Sequence, residues 1–266
     1  MFVERYGPCA VIAGGSDGIG AAFARAAAKR GLDLVLIARN EGTLSSLAQE
    51  IEKEHPKVMI RTLAVDLSSP SAAKAIESAT EDLDVGLFIF NVGSEPSYGP
   101  FLEHDEEWVN QRMNRNFVVK AQLTHHFGRR MVARGRGGII LMGSMSGYFG
   151  SPGFALYSAS KAYTRYLAEG LWHELKAHNI DLLCPVVGPT VTPTMIRSYG
   201  KLEGAADPAD VAETALDKIA DGPVWVSEEI AGQVAAMEAM PPAERSKLAA
   251  HWGEEFAKKG IKPTSA

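Results

Sequence analysis

Seven short apolar runs alternate with longer stretches of helical periodicity along this chain. Most of the runs are continuously apolar, which is typical of parallel strands covered on both faces. The stretches between them place apolar residues at helical spacing, as at Leu44, Leu47 and Ile51. The predicted strands are Ala10–Ala13, Leu32–Ala38, Met59–Val65, Val85–Asn91, Gly138–Met142, Ile180–Pro185 and Val224–Ser227. The pattern therefore predicts an α/β fold, with a parallel sheet and helices on both of its faces.

The whole chain, residues 1–266, is predicted to form one domain. Its length suits a single large α/β domain, and apolar residues make up 46% of it, enough to bury a full core. No repeat, low-complexity linker or change in composition divides it. From about residue 233 to residue 266 the pattern predicts a helical tail, with a break at Pro241 and Pro242.

Charge and cysteine usage narrow the range of partners. The formal net charge is −5, so no basic field suggests nucleic acid as a partner. Cys9 and Cys184 lie inside apolar runs and match neither a metal-binding spacing nor a disulfide framework, so no metal site is predicted. The N-terminus lacks a signal-peptide pattern, and no apolar run approaches the ~20 residues that cross a bilayer. We therefore expect a cytoplasmic protein without membrane contact.

A glycine-rich turn joins the first predicted strand to a helix. The turn runs from Ala13 to Gly20 as AGGSDGIG, and the helix that follows, Ala21–Arg30, ends at Gly31. Glycines let the backbone approach a pyrophosphate closely, and the free N–H groups at the helix start face the anion. Turns and caps also use glycine, but the strand before and the helix after favour a dinucleotide site. The predicted binding residues are Gly14, Ser16, Asp17, Gly18, Ile19 and Gly20.

The end of the second predicted strand indicates which dinucleotide binds. An enzyme for NAD usually places a carboxylate about twenty residues after the glycines, where it binds the ribose 2′-OH. This chain has Ala38 there, followed by Arg39, whose guanidinium can bind a 2′-phosphate. The nearby carboxylates of Asp17 and Glu41 would repel a phosphate. The alternative for Arg39 is a solvated residue at the end of a strand, without a ligand. NADP(H) is predicted over NAD(H).

Two further strand ends supply candidate cofactor contacts. Asp66 and Leu67 follow the third strand, where a side chain can meet the adenine edge. Asn91 and Gly93 close the fourth strand, at the carboxyl ends where ligands bind in such sheets. Each of these residues is ordinary at a strand end, so the prediction depends on their shared position.

A tyrosine and a lysine, Tyr157 and Lys161, stand at i and i+4, so a helix would present both from one face. A free tyrosine has a pKa near ~10 and is a poor base at neutral pH. A nearby ammonium, together with the cationic oxidised nicotinamide, favours the phenolate and lowers that pKa. Tyr157 is therefore predicted to exchange a proton with the substrate oxygen while hydride moves at carbon.

Two residues upstream complete the predicted catalytic set. Ser144, thirteen residues before Tyr157, would hydrogen-bond the same substrate oxygen. Asn116 would lie on the preceding helix and hold a water that connects Lys161 to solvent. Each residue alone also has an ordinary explanation. The Tyr157–Lys161 spacing can arise by chance, Ser144 can be only a turn residue, and Asn116 can bond only to the backbone. All four in this order behind a dinucleotide turn favour catalysis.

These motifs resemble those of the short-chain dehydrogenase/reductase family, in its common single-domain form. The resemblance runs from Pro8 to Ser227. It implies a Rossmann-type, doubly wound sheet of seven strands, and a Lys161 that also binds the nicotinamide ribose. Gly188, Thr190 and Thr192 fall where the nicotinamide carboxamide would bind. The matching residues are Gly14, Gly18, Gly20, Asp66, Asn91, Asn116, Ser144, Tyr157 and Lys161.

A narrower similarity concerns the substrate. The segments 5–7 and 188–193, with the helical tail, resemble bacterial 7β-hydroxysteroid dehydrogenases, which act on bile acids with NADP(H). Loops at the carboxyl ends of the strands should form the pocket: Ser94–Phe101, Met145–Phe154 and Met195–Ala206. An aromatic lining with little charge favours a bulky apolar ketone or alcohol, although about half of these residues are as compatible with core positions. The lining candidates are Tyr98, Phe101, Tyr148, Phe149, Phe154, Met195 and Tyr199.

The resemblance also implies association. Members of the family usually pair the two helices that here carry Asn116 and Tyr157, so a homodimer or homotetramer is expected. Several of the apolar residues on these helices are also compatible with the core of one chain. The candidate contact residues are Phe127, Met131, Tyr166, Leu167 and Leu171.

Two alternatives remain at this stage. One is a 3-oxoacyl thioester or sugar reductase of the same family. For a thioester substrate, the basic run Arg129, Arg130, Arg134 and Arg136 would dock an acidic carrier protein, although such a run more commonly caps a helix C-terminus and stays solvated. The other is a catalytically silent nucleotide-sensing or scaffold protein, because fold does not fix function. The complete set of four candidate catalytic residues argues against the second.

Overall fold

A computed structural model describes residues 1–93, 99–200 and 203–258, without the side chains of residues 198–199 and 252–258. In this part of the chain seven parallel strands form one sheet in the order β3-β2-β1-β4-β5-β6-β7. Each strand begins and ends within one residue of its predicted bounds, which confirms the predicted Rossmann-type sheet. The strands are β1 Cys9–Ala13, β2 Asp33–Ala38, β3 Ile60–Ala64, β4 Val85–Phe90, β5 Gly137–Leu141, β6 Ile180–Val186 and β7 Val224–Val226.

The helices lie on both faces of the sheet because successive strand residues point to opposite sides. One face packs against α4, α6, α7 and α10 through a core that includes Val11, Phe88 and Phe127. The other face packs against α2, α3 and α9 through Ile12, Phe23 and others. The helices are α1 Phe2–Tyr6, α2 Gly18–Lys29, α3 Glu41–Glu54, α4 Ala72–Ala79, α5 Glu106–Met113, α6 Val119–Arg134, α7 Ala155–Lys176, α8 Pro193–Tyr199, α9 Pro208–Asp217, α10 Glu228–Ala239 and α11 Pro242–Lys258.

The strand order reverses between β1 and β4, which are neighbours although two other strands lie between them in sequence. The chain leaves β1 toward one face and β4 toward the other, so a crevice opens at their carboxyl ends. Ligands bind in such a crevice in doubly wound folds. The glycine turn follows β1, and the segment with Asn91 and Gly93 follows β4.

The last described part of the chain is helical. After β7, α10 packs Ile230, Val234 and Met237 into the core, and α11 begins at Pro242, the second proline of the predicted break. No helix in the described part of the chain is long and apolar enough to cross a membrane. The assignment of the whole chain to one domain stays a prediction.

The basic run at the end of α6 is partly structural. Arg130 donates hydrogen bonds to Thr80 O at 2.9 Å and to Leu83 O, where it satisfies carbonyls after α4. Arg134 donates to Gly7 O at 2.7 Å. The expectation that the run stays solvated is therefore wrong for these two arginines, because neighbouring loops offer backbone acceptors.

Candidate active site

The glycine turn is held tightly against β2 and β4. Gly14 N and Gly15 N donate to Ile37 O at 2.8 and 3.1 Å. Asn91 Nδ2 donates to Gly14 O at 3.2 Å. A Cβ at Gly20 would lie 1.8 Å from Gly14 O, so the turn and the first turn of α2 can approach only without that side chain. This close-packed cradle at a helix N-terminus fits the pyrophosphate of a dinucleotide.

The structure brings α8 to the same turn. A Cβ at Gly18, whose φ is +52°, would lie 2.7 Å from Thr192 Cγ2. Thr192 is the N-cap of α8, and its Oγ1 accepts a hydrogen bond from Met195 N at 3.1 Å. Thr190 is buried, and its Oγ1 donates to Gly188 O at 3.2 Å. Of the three candidates after β6, Thr192 therefore lies beside the glycine turn.

Asp17 and Arg197 form a contact that the sequence did not indicate. Asp17 accepts a hydrogen bond from Gly18 N at 2.7 Å as the N-cap of α2. Its other carboxylate oxygen lies 3.8 Å from Arg197 Nη2 on α8. The positive charge of Arg197 therefore partly offsets the negative charge of Asp17. No local sequence pattern predicts a contact between two residues so far apart in the chain.

The candidates at the ends of β2 and β3 also come together. Arg39 is exposed directly after β2. Burial alone would raise the pKa of the Asp66 carboxyl, but hydrogen bonds from Ser68 and the charges of Arg39 and Arg115 lower it overall. The side chain of Leu67 lies in the core, so only its backbone can contact a cofactor. Ser16 and Ile19 are half-buried in the turn and the first turn of α2.

The tyrosine and the lysine face each other on α7. Lys161 Nζ lies 5.6 Å from the centroid of the Tyr157 ring and donates to Met142 O at 3.0 Å. Lys161 is buried, and burial lowers its pKa to about 8. Phe154 packs edge-on to Tyr157, with ring centroids 6.3 Å apart. The pair is therefore a cation close to an aromatic hydroxyl-bearing ring at the edge of the crevice.

Asn116 lies beside this pair. A Cβ at Gly93 would be 3.4 Å from Asn116 Oδ1 and 3.7 Å from Lys161 Nζ, so Gly93 lies close to both side chains. Asn116 lies on a helix as predicted, within a π-helical turn, Asn114–Val118, that joins α5 to α6. Such turns are frequent at functional sites. Asn114 Nδ2 anchors the turn by donating to Leu67 O and Ser69 O, at 3.2 and 2.7 Å.

The amide of Asn116 fits the predicted role of a water holder. Its Oδ1 accepts a hydrogen bond from Arg115 Nε at 3.1 Å. Its Nδ2 is buried and has no hydrogen-bond partner among the described residues. A buried donor left unpaired costs about 1–3 kcal/mol, so a polar partner is expected there. Arg115, which the sequence reasoning passed over, also contributes to lowering the pKa of Lys161.

Ser144 starts the short 3₁₀ turn Met145–Tyr148 after β5. Its Oγ accepts a hydrogen bond from Ser146 N at 3.2 Å, and the side chain is half-buried. A hydroxyl that accepts one hydrogen bond can still donate its own proton. The Ser144 hydroxyl therefore keeps a proton available for donation.

The predicted pocket wall is only partly present. Phe154 lies against Tyr157, and Phe101 is 44% exposed. Tyr148, in contrast, is a core residue whose ring lies 4.2 Å from the Arg165 guanidinium, and Phe149 packs against the same core. The core alternative therefore holds for Tyr148. Met195 is half-buried on α8, whereas Tyr98 and the side chain of Tyr199 lie outside the described residues.

The fold and this arrangement define the class of a Rossmann-type nucleotide-binding protein. Residues 8–201 match the family model described as short chain dehydrogenase. The chain is 31% identical over 259 residues to a 7beta-hydroxysteroid dehydrogenase of Clostridium sardiniense, covering 96% of this chain and 98% of the relative. It is 34% identical over 183 residues to the Very-long-chain 3-oxoacyl-CoA reductase-A of Danio rerio, covering 68% of this chain and 57% of that protein.

Solved structures agree with this classification. One, from work on 7beta-hydroxysteroid dehydrogenase stereoselectivity, superposes with a TM-score of 0.89 at 26% identity, covering 93% of this chain and 98% of the other. A short-chain dehydrogenase from Sphingobium yanoikuyae in complex with NADPH gives a TM-score of 0.77 at 27% identity, with coverages of 97% and 98%. The chain belongs to the short-chain dehydrogenase family of oxidoreductases, which bind a nicotinamide cofactor.

Proposed function

We propose that this enzyme interconverts a secondary alcohol and a ketone, with NADP(H) as cofactor and a bulky apolar, hydroxysteroid-like compound as substrate. The observation that carries the proposal is the buried Lys161 ammonium facing the Tyr157 ring, with Asn116 beside it at the crevice between β1 and β4. A bound nicotinamide supplies hydride in ketone reduction and accepts it in alcohol oxidation.

The proton chemistry follows from the charges around Tyr157. Because burial lowers the pKa of Lys161 only to about 8, its amine is still largely cationic at neutral pH. A cation at this distance favours the phenolate and so lowers the pKa of the phenol. In ketone reduction Tyr157 donates its proton to the oxygen that gains charge as carbon gains hydride; in oxidation it takes the proton back.

Two neighbours complete the proposed mechanism. Ser144 donates a hydrogen bond to the same substrate oxygen and stabilises the charge that develops there. Asn116 holds a water through its buried Nδ2, and that water links Lys161 to solvent. Each role uses a hydrogen-bonding group that lies at the crevice and is not fully used by the described residues.

The preference for NADP(H) is supported by the end of β2. Ala38 brings no negative charge to the 2′ position, and Arg39 is exposed where a phosphate can reach it. The pairing of Asp17 with Arg197 reduces repulsion of that phosphate. The NADPH complex of the similar Sphingobium enzyme is consistent with this choice.

The substrate class is supported by the apolar ring of Phe154 beside Tyr157 and by similarity along nearly the whole length of a 7beta-hydroxysteroid dehydrogenase. A 3-oxoacyl thioester is the second candidate, favoured by the Danio rerio relative. The carrier-docking argument for it is weakened because Arg130 and Arg134 bind backbone carbonyls within this chain. A silent scaffold does not need the four catalytic candidates.

The substitution Tyr157→Phe tests the catalytic proposal. It removes only the proton-transfer group, so turnover should fall by ~10²–10⁴-fold while NADPH affinity stays nearly unchanged. Turnover is followed by nicotinamide absorbance with a panel of hydroxysteroids, aliphatic ketones, sugars and acetoacetyl thioesters.

The same panel tests the substrate class. Steroid-like substrates should show KM values well below those of short ketones. A variant with near-wild-type rate would refute the mechanism, whereas superior turnover of thioesters or sugars would refute only the substrate class.

A further inference from the structure

A second lysine, Lys120, is buried behind the site. It lies on α6, about one helical turn after Asn116, and only 1% of it is exposed. Its Nζ donates a hydrogen bond to Thr164 Oγ1 on α7 and lies 5.4 and 5.7 Å from the ring centroids of Phe90 and Tyr163. Lysine is almost never fully buried without a charged partner. Within the described part of the chain, no carboxylate pairs with it.

Lys120 links the segment that carries Asn116 to the helix that carries Lys161. Its partner Thr164 is three residues after Lys161 and therefore on the same face of α7. About one turn away, Asn116 Oδ1 and Lys161 Nζ both lie close to Gly93. The Lys120–Thr164 hydrogen bond therefore helps to fix how far the Asn116 segment stands from the Lys161 helix.

The hydroxyl of Thr164 is oriented to receive the lysine. Thr164 Oγ1 donates to Ser160 O at 2.7 Å, which directs a lone pair away from its own helix. Lys120 Nζ donates its hydrogen bond to that lone pair. The position of α6 relative to α7 therefore depends on a directed contact and not on apolar packing alone. An apolar side chain of the same length would fill the space without fixing this geometry.

We propose that Lys120 is a positioning residue for catalysis, which holds Asn116 against Lys161 through its hydrogen bond to Thr164. The inference rests on the proposed function, because it assigns Asn116 and Lys161 to the proton path. Lys120 contacts neither substrate nor cofactor in this assignment. It acts through the spacing of the two segments.

The charges around Lys120 add a pH dependence. The groups that face it are Lys161 on α7, Cys184 on β6 and the rings already named. Burial lowers the pKa of Lys120 far below its ordinary value, the charge of Lys161 lowers it further, and Cys184 opposes the shift. Protonation of Lys120 therefore places a second buried cation beside Lys161. The kcat profile should contain this ionisation below the ordinary range of a lysine.

The test compares Lys120→Met with Thr164→Val and with their combination. K120M should lower kcat by roughly 10- to 100-fold, the scale of a misplaced catalytic group, without weakening NADPH binding or lowering Tm. T164V should lower kcat in the same direction, and the double variant should lose no more than K120M, because both remove one link. The ionisation of Lys120 should be absent from the kcat profile of K120M and present in that of T164V.

Thr124→Val is the matched control. Thr124 is buried on α6 about one turn beyond Lys120, and its hydroxyl has no hydrogen-bond partner among the described residues. T124V should keep wild-type kcat. The inference is overturned if K120M keeps wild-type kcat and pH profile, if T124V loses as much, or if the losses of K120M and T164V add. Should K120M not fold, a wild-type kcat in T164V overturns it.

The two proposals fail differently. If Y157F keeps its rate, the proposed proton chemistry is refuted whatever Lys120 does. If Y157F is inactive while K120M and T164V both behave as the wild type, only the positioning role is refuted.

Discussion

Arg39 is the single residue on which cofactor choice is expected to depend. Arg39→Ala should weaken NADPH binding by roughly 1–3 kcal/mol, the scale of a charge-assisted hydrogen bond, and leave NADH binding almost unchanged. Ala38→Asp should shift preference the other way, because a carboxylate repels the 2′-phosphate and accepts from a ribose hydroxyl. Fluorescence titration with both cofactors measures the two effects. Equal weakening of NADPH and NADH in R39A would show that Arg39 does not bind the phosphate.

Lys161 is expected to lower stability while it serves catalysis. Its pKa falls from an ordinary 10.5 to about 8 on folding, so between these values the unfolded chain binds more protons and stability rises with pH. Below about pH 8 the full cost applies, up to roughly 3 kcal/mol. Lys161→Met should therefore be inactive yet more stable than the wild type at pH 7, with the difference shrinking from pH 8 toward 10.5. Urea unfolding at several pH values checks this; a difference independent of pH would contradict it.

Single-residue predictions succeeded where position in the chain determines position in space. Tyr157 and Lys161 face one another because a helix places i and i+4 together, which the spacing alone predicts. The Arg197–Asp17 contact and the Lys120–Thr164 contact were not foreseen, because each joins residues brought together only by tertiary packing. Tyr148 illustrates the converse: an aromatic residue near a site can equally well belong to the core.

At the scale of elements, the strand–turn–helix unit around the glycine turn allows a sharp test. Gly20→Ala would put a Cβ 1.8 Å from Gly14 O, a backbone atom that cannot move without opening the turn. NADPH binding should be lost, and stability should fall by about 1–3 kcal/mol through overpacking. Gly170→Ala on α7 is the control, since nothing lies within 4 Å of its Cβ and alanine favours a helix. Normal NADPH binding in G20A would contradict the assigned cradle.

Secondary-structure elements were predicted well where a single physical cause determines where they form. All seven strands were found because buried parallel strands are continuous apolar runs. The π turn that carries Asn116 could not be predicted, because it depends on Asn114 reaching carbonyls in the loop after β3. The local periodicity of the sequence gives no information about hydrogen bonds between residues that are far apart in the chain.

At the scale of the whole molecule, the described side chains restrict how subunits can associate. Phe127 and Met131 were candidate contact residues, but both lie on the inner face of α6 and are fully buried within one chain. Leu167 and Leu171 are half-buried and pack against the same core. Tyr166 on α7 is 63% exposed and is the candidate that remains available to a partner. The expected homodimer or homotetramer, like the cytoplasmic location, stays a prediction.

Tyr166→Glu tests that association. If α7 pairs with its copy in a second subunit, a charge at Tyr166 would be buried without a partner, which is costly enough to split a contact. Light scattering at micromolar concentration should give a dimer or tetramer for the wild type and a smaller species for the variant. Met59→Glu is the control, because Met59 is an apolar residue 72% exposed just before β3, on the edge strand farthest from β7. A monomeric wild type, or a mass unchanged in Y166E, would refute pairing through α7.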